Sequence, residues 1–246
     1  MKKVFIALFI GLLVSSYAFT QEVIISPAIG YVGMGLIGDT KVEVEAVSNT
    51  TPPVTANTST NVSTVSSMHL MEIGLTSGRI SKNGFTFMLN TFAAPTTGSG
   101  KITFKFPNDT KIEYIRNIKK GVEFGMSAIF GYTFKYLDDK LYFNIGSGLA
   151  GRLMMVDSYY DGTKFNDRQP SVEVCFGIPI QAGIQYFFTD LFGINVLVAD
   201  EVGVGMIDMG QNEVSNSLGR VTTSIGGLGF SNVFSVKIGP VFKIKR

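Results

Sequence analysis

Between Gly121 and Tyr136 every second residue is apolar or aromatic: Val122, Phe124, Met126, Ala128, Phe130, Tyr132, Phe134 and Tyr136. The residues between them, Gly121, Glu123, Gly125, Ser127, Gly131, Thr133 and Lys135, are small or polar, with Ile129 the exception. Alternate side chains of a strand point to opposite faces, so this stretch has one apolar face along its whole length and one narrow polar face. A globular strand averages about 5–6 residues, and the alternation runs far beyond that. Such length, apolar on one face and polar on the other, is the pattern of a strand that crosses a membrane as part of a β-barrel.

The pattern recurs. Ser171 to Phe188 carries Val172, Val174, Phe176, Ile178, Ile180, Ala182, Ile184, Tyr186 and Phe188 on one face, against Glu173, Cys175, Gly177, Pro179, Gln181, Gly183 and Gln185 on the other. Pro179 predicts a local kink, since proline cannot donate to a ladder. Shorter or blurred versions run over Val23–Gly35, Met68–Ile80, Phe85–Ala94, Leu141–Met155, Phe192–Met206 and Leu228–Ile244. With Gly121–Tyr136 these make eight strands. Ser81–Gly84, Asp138–Lys140 and Thr189–Leu191 read as short turns, the first with the hairpin dipeptide Asn83-Gly84. Leu36–Ser67, Pro95–Lys120, Val156–Pro170 and Asp208–Ser224 read as long connections. The first holds a Ser/Thr/Asn-rich tract, with Asn61-Val62-Ser63 inside it, that is too polar to bury a core and predicts a mobile loop. In the second, Lys101–Phe106 and Lys111–Ile115 flank Pro107–Thr110 and predict a hairpin that prolongs strands three and four.

Connections that alternate long and short, joining an even number of strands, describe a closed barrel with its short turns on the periplasmic side. The expectation is an all-β fold: an eight-stranded antiparallel up-and-down transmembrane β-barrel with short periplasmic turns and long extracellular loops. An open sheet cannot serve, because its edge amides would go unsatisfied in hydrocarbon. Eight strands enclose an interior just wide enough for side chains to fill. Phe134, Tyr136, Phe143, Tyr186, Phe188, Phe192 and Phe242 lie near the short turns, where a periplasmic aromatic girdle belongs. A soluble lipocalin-like barrel would need the inverse polarity, with charge on its outer face.

The composition agrees. Charged residues make up 16% of the 246-residue chain, against about 25% in soluble domains, so part of the surface is dry. A net charge of +2 argues against nucleic acid as a partner. Met1-Lys2-Lys3, the apolar run Val4–Val14 and the small-x-small Ser16-Tyr17-Ala18 read as a cleaved signal peptide over residues 1–18, leaving 19–246 as the barrel domain. The lone Cys175 shares parity with glycine and glutamine and reads as a small lumen-facing residue.

Six charged residues share inward parity: Glu72, Glu123, Arg152, Glu173, Glu201 and Lys237. Counted up from the short turns, Glu72, Glu201 and Lys237 fall near mid-height and Glu123, Arg152 and Glu173 nearer the outer mouth. Buried charges need partners, so Arg152 is expected to pair with Glu173 on the adjacent strand and with Glu123. The network reads either as a structural plug or as a charged constriction. His69, the one histidine, falls on the lipid-facing parity near the outer interface, away from any acid that could make it a catalytic base. The pattern predicts no catalytic residue, no cofactor and no metal.

With these features the chain resembles the small eight-stranded bacterial outer-membrane barrels, of the OmpA-membrane-domain, OmpX and OmpW type. The resemblance is one of architecture, carried by the signal peptide, strands four to eight and the alternating connections. It implies the outer membrane as location, outer-membrane lipid and the assembly machinery as partners, and a monomer. Such proteins usually end on an aromatic residue; this chain ends Val241-Phe242-Lys243-Ile244-Lys245-Arg246. Two functions follow as expectations: a structural or surface role with an extracellular ligand met by the loops, or a narrow channel for small or apolar solutes, as the OmpW likeness implies.

Overall fold

The computed structural model describes residues 20–48, 55–105, 111–161, 169–216 and 219–245. These form eight strands: β1 (Thr20–Ser48), β2 (Thr55–Ser81), β3 (Phe85–Lys105), β4 (Lys111–Tyr136), β5 (Leu141–Asp161), β6 (Gln169–Phe187), β7 (Phe192–Asn216) and β8 (Gly219–Lys245). Each pairs antiparallel with its chain neighbours, and β1 pairs with β8, so the sheet closes into a barrel in sequence order. Closure leaves no strand edge for a membrane to desolvate. Residues 1–18, read from the sequence as a signal peptide, lie outside the described residues.

Faces follow the period-2 reading. On β6, Phe176, Ile178, Ile180, Ile184 and Tyr186 are exposed, while Glu173, Cys175, Gly177, Pro179, Gln181, Gly183 and Gln185 are buried. Exposed apolar residues continue round the wall as Ile73 and Leu75 on β2, Phe124 and Met126 on β4, Leu149 on β5, Val202 and Val204 on β7 and Phe234 on β8. An apolar surface this continuous is far larger than a soluble monomer exposes, which removes the lipocalin-like alternative. The aromatics near the short turns meet ring to ring: Phe242–Phe192 at 5.6 Å, Phe192–Phe188 at 6.1 Å, Phe188–Tyr186 at 5.5 Å and Phe143–Phe134 at 6.2 Å.

The strands run farther than the sequence reading placed them. Residues 36–48, expected in a mobile loop, pair with the Ser/Thr/Asn-rich tract through Thr40–Val62, Val44–Thr58 and Val47–Thr55. The same arm of β1 pairs on its other side with β8, as far as Ser48–Gly219. A hairpin satisfies its backbone groups between its own arms and needs no apolar face to do so, and β-branched Thr and Val suit a strand. The part of that loop at 49–54 lies outside the described residues. The hairpin predicted around 107–110 has its arms in place, with Lys101 opposite Ile115; its apex also lies outside the described residues. The connections at 156–170 and 208–224 likewise begin and end as strand.

Prolines interrupt the ladders without moving the register. Pairing of β5 with β6 stops at Ser147–Ile180 and resumes at Ala150–Gly177, on either side of Pro179. At the β1–β8 seam it stops at Ile25–Phe242 and resumes at Ile29–Ile238, on either side of Pro27 and Pro240. There a side chain takes the place of the missing backbone donor: Ser26 Oγ donates to Pro240 O at 2.9 Å and accepts from Asn195 Nδ2 at 3.1 Å. The turn at Ser81 closes with Gly84 N–H donating to Ser81 O at 3.0 Å, and Gly84 takes φ of 86°, a conformation glycine adopts freely.

Candidate functional site: an ionic layer across the lumen

Inward residues stack in layers. At the short-turn end Tyr142 OH donates to Glu22 at 2.9 and 3.1 Å, Lys135 Nζ lies 3.0 Å from Glu22, and Lys243 Nζ donates to Asp139 O at 2.8 Å while sitting over the Phe187 ring. Above it Asn90 bridges the lumen: it accepts from Thr76 Oγ1 at 2.7 Å and donates to Ser127 Oγ at 2.9 Å and Gln181 Oε1 at 3.0 Å. Above the charged level lies an apolar layer of Val32, Met34, Met68, Leu70, Met154 and Val233, all at most 2% exposed.

Between the polar and apolar layers lies the charge. Arg152 Nε donates to Glu201 Oε2 at 3.0 Å, and its Nη1 donates to Glu123 Oε1 at 2.5 Å. The same Nη1 stands 3.6 Å from Glu72 Oε2, and Lys237 Nζ is ion-paired with Glu72 Oε1. Glu72 and Glu123 are wholly buried, and Arg152 is 6% exposed. Side chains from β2, β4, β5, β7 and β8 thus meet in one cross-section. The two tiers inferred by counting from the turns merge into this single layer, because tilted, staggered strands bring positions of unequal count to the same height. Of the two partners expected for Arg152, Glu123 is in contact. Glu173 is fully buried one inward position higher on β6, across from Met154, and it is Cys175 that stands opposite Arg152. Glu201, two strands away, supplies the contact that sequence adjacency does not suggest.

Phe92 is the member the sequence reading passed over. Its ring centre lies 4.3 Å from the Arg152 guanidinium carbon and 4.9 Å from Lys237 Nζ, so one ring serves two cations. Its parity, opposite to that of Thr91 and Ala93, is the signal that places it inside. Glycines make room for the layer. A Cβ on Gly125, directly across the ladder from Arg152, would fall 2.2 Å from Phe92 Cε2, and one on Gly177 would fall 2.6 Å from Glu201 Cγ. Gly125→Ala is therefore expected to lower stability by about 1–3 kcal/mol through overpacking. Denaturant unfolding of the barrel in lipid vesicles measures it, and an unchanged midpoint would show that Phe92 is free to move aside.

Cys175 is a free, fully buried thiol in the apolar layer, as its parity predicts. His69 is exposed on the outer wall, hydrogen-bonded to Tyr31 OH and stacked on that ring at 5.9 Å. Among the described residues no group of three or more His, Cys, Asp or Glu side chains is arranged to hold a metal ion.

A family model described as "Domain of unknown function (DUF2715)" matches residues 19–244. The chain belongs to this family. No curated protein matches it. Among solved structures, this DUF2715 member is similar to the outer membrane protein OprG from Pseudomonas aeruginosa, at 11% identity and a TM-score of 0.45, over 93% of this chain and 98% of that one. It is similar to Ail, the attachment invasion locus protein of Yersinia pestis, at 11% identity and a TM-score of 0.29, over 82% and 98%. It is also similar to the outer membrane protease OmpT from Escherichia coli, at 7% identity and a TM-score of 0.36, over 89% and 97%. Likenesses this distant carry no argument of their own; the closed eight-stranded antiparallel barrel of this DUF2715 chain stands on its own strand pairing.

Proposed function

We propose that this protein is an outer-membrane barrel with a filled interior that acts through its surface, in a structural or surface-interaction role. The observation that carries the reading is the Arg152 layer. Arg152 on β5 donates to Glu123 on β4 and Glu201 on β7 and stands 3.6 Å from Glu72 on β2, which Lys237 on β8 pairs in turn, between a packed apolar layer and a hydrogen-bonded polar one. A lumen crossed in this way has no continuous aqueous path. On this reading residues 1–18 are a leader, the short turns face the periplasm and the prolonged hairpins stand outside the cell, where they meet an extracellular ligand. His69, turned outward on Tyr31, supports a protein without catalysis.

A second reading has one observation in its favour. The layer of Val32, Met34, Met68, Leu70, Met154 and Val233 lies on the outer side of the charges, where a small apolar solute would enter. Planar-bilayer recordings separate the two. The filled-barrel reading expects no stepwise conductance from the wild-type protein, and steps from a variant lacking Arg152, Glu123 and Glu201 side chains together. Steady wild-type channels, or flux of an apolar dye through wild-type vesicles, would favour the second. An epitope placed between Asp138 and Asp139 should be reached by antibody only after the outer membrane is opened; access on intact cells would invert the orientation.

A further inference from the structure

β4 carries one residue too many where it leaves the apolar band. Against β5, Ile118 pairs with Ser158 and Lys120 with Asp157, so two steps on β4 answer one on its neighbour. Against β3 the register shifts at the same place, between Pro95 and Gly98. This is a β-bulge, a device that re-aims side chains. Here Ile118 stays buried while both Lys119 and Lys120 are exposed. In a regular strand one of the two lysines would point into the lumen.

The bulge stands at a sharp boundary. Pro95, Val122 and Met155 lie side by side across β3, β4 and β5, with exposed Phe124 and Met126 below them on β4. Directly beyond come exposed Thr97 and Ser99 on β3, the two lysines on β4, and Tyr159 on β5 with Lys119 Nζ 4.7 Å from its ring. Lys101 is exposed two positions past Ser99. Asp157 lies across the ladder from Lys120, and Lys101, Lys119 and Lys120 put three exposed ammonium groups on this rim. On β7 and β8, by contrast, Val204, Met206, Leu228 and Phe230 are the exposed residues toward the long-hairpin end among the described side chains.

We propose that this bulge seats the phosphate of an anionic lipid in the leaflet at the long-hairpin end. The lysines and the Thr97 and Ser99 hydroxyls would hold the phosphate, while the acyl chains lie on Val122, Phe124 and Met126. Clustered lysines at a membrane surface attract anionic headgroups, and the adjoining apolar wall is what distinguishes a lipid from a free phosphate. The inference does not depend on whether the lumen conducts.

The full chain, folded in nanodiscs of phosphatidylcholine with a minority of phosphatidylglycerol, tests it by native mass spectrometry of the lipids it retains. Wild type should retain phosphatidylglycerol on the order of tenfold above its bulk share. Lys119→Gln with Lys120→Gln should return retention to the bulk share, while Lys140→Gln with Lys245→Gln, at the short-turn end, should leave it high. Wild-type retention at the bulk share, or equal loss in both variants, would leave only a solvated charged rim and overturn the proposal. Displacement by inorganic phosphate would make the site one for free phosphate and overturn it as a lipid seat. If the bulge variant fails to fold, retention by wild type at low and high salt decides; retention indifferent to salt overturns the proposal.

Discussion

Arg152→Ala should destabilise the folded barrel by about 3–5 kcal/mol, the loss typical when one partner is removed from a buried ion pair. The guanidinium is the hub of three carboxylates: Glu123 at 2.5 Å, Glu201 at 3.0 Å and Glu72 at 3.6 Å. Without it Lys237 is, among the described residues, the remaining cation in contact with the layer, and it reaches Glu72 alone of the three. Glu123 and Glu201 then face each other across an interior they can neither leave nor neutralise by pairing. The Phe92 ring loses one of its two cations as well. Urea titrations of vesicle-folded protein measure the change. Adding Glu123→Gln and Glu201→Gln to Arg152→Ala should recover part of the loss, since the penalty lies in the stranded charges and coupled groups are not additive. A loss near zero, additive with those of the glutamates, would mean that water already solvates the layer.

Ile178→Arg should also be costly, about 2–4 kcal/mol for a cation placed on the lipid face near mid-bilayer. Ile178 is 58% exposed and lies beside Val202 of β7. Ile180, two residues along on the same face, is 62% exposed but stands directly across the ladder from Asp200. An arginine at Ile180 finds a carboxylate within reach, so Ile180→Arg should cost clearly less than Ile178→Arg, and the difference should vanish in an Asp200→Ala background. Asp200 at present accepts a hydrogen bond from Asn232 at 2.9 Å, which is how the wall accommodates an acid among valines. Folding titrations of the four variants decide it. Equal effects at the two isoleucines in the wild-type background would reject the β6–β7 register.

What the chain determines by itself is which way each residue faces. A strand's period is two, and a shift of one residue would turn every side chain through the wall. The unbroken alternation from Val172 to Phe188 therefore places Cys175, Glu173 and Gln181 inside and the isoleucines outside before any pairing is known. The aromatic girdle is legible for the same reason, because it needs only parity and distance from a short turn. Strand ends are legible only where hydrocarbon demands an apolar face. Beyond it, residues 36–48 and 55–66 stay paired through the backbone ladder, and the Ser/Thr/Asn-rich sequence of 55–66 carries no sign of that. Heights inside the barrel belong to the tertiary structure. Closure with tilt staggers the strands, so Arg152 meets Glu201 from two strands away and Lys237 meets Glu72 across β1. The sequence lists six charges with inward parity, but only the closed, tilted sheet decides which of them touch, because contact across a lumen depends on the stagger of all eight strands together.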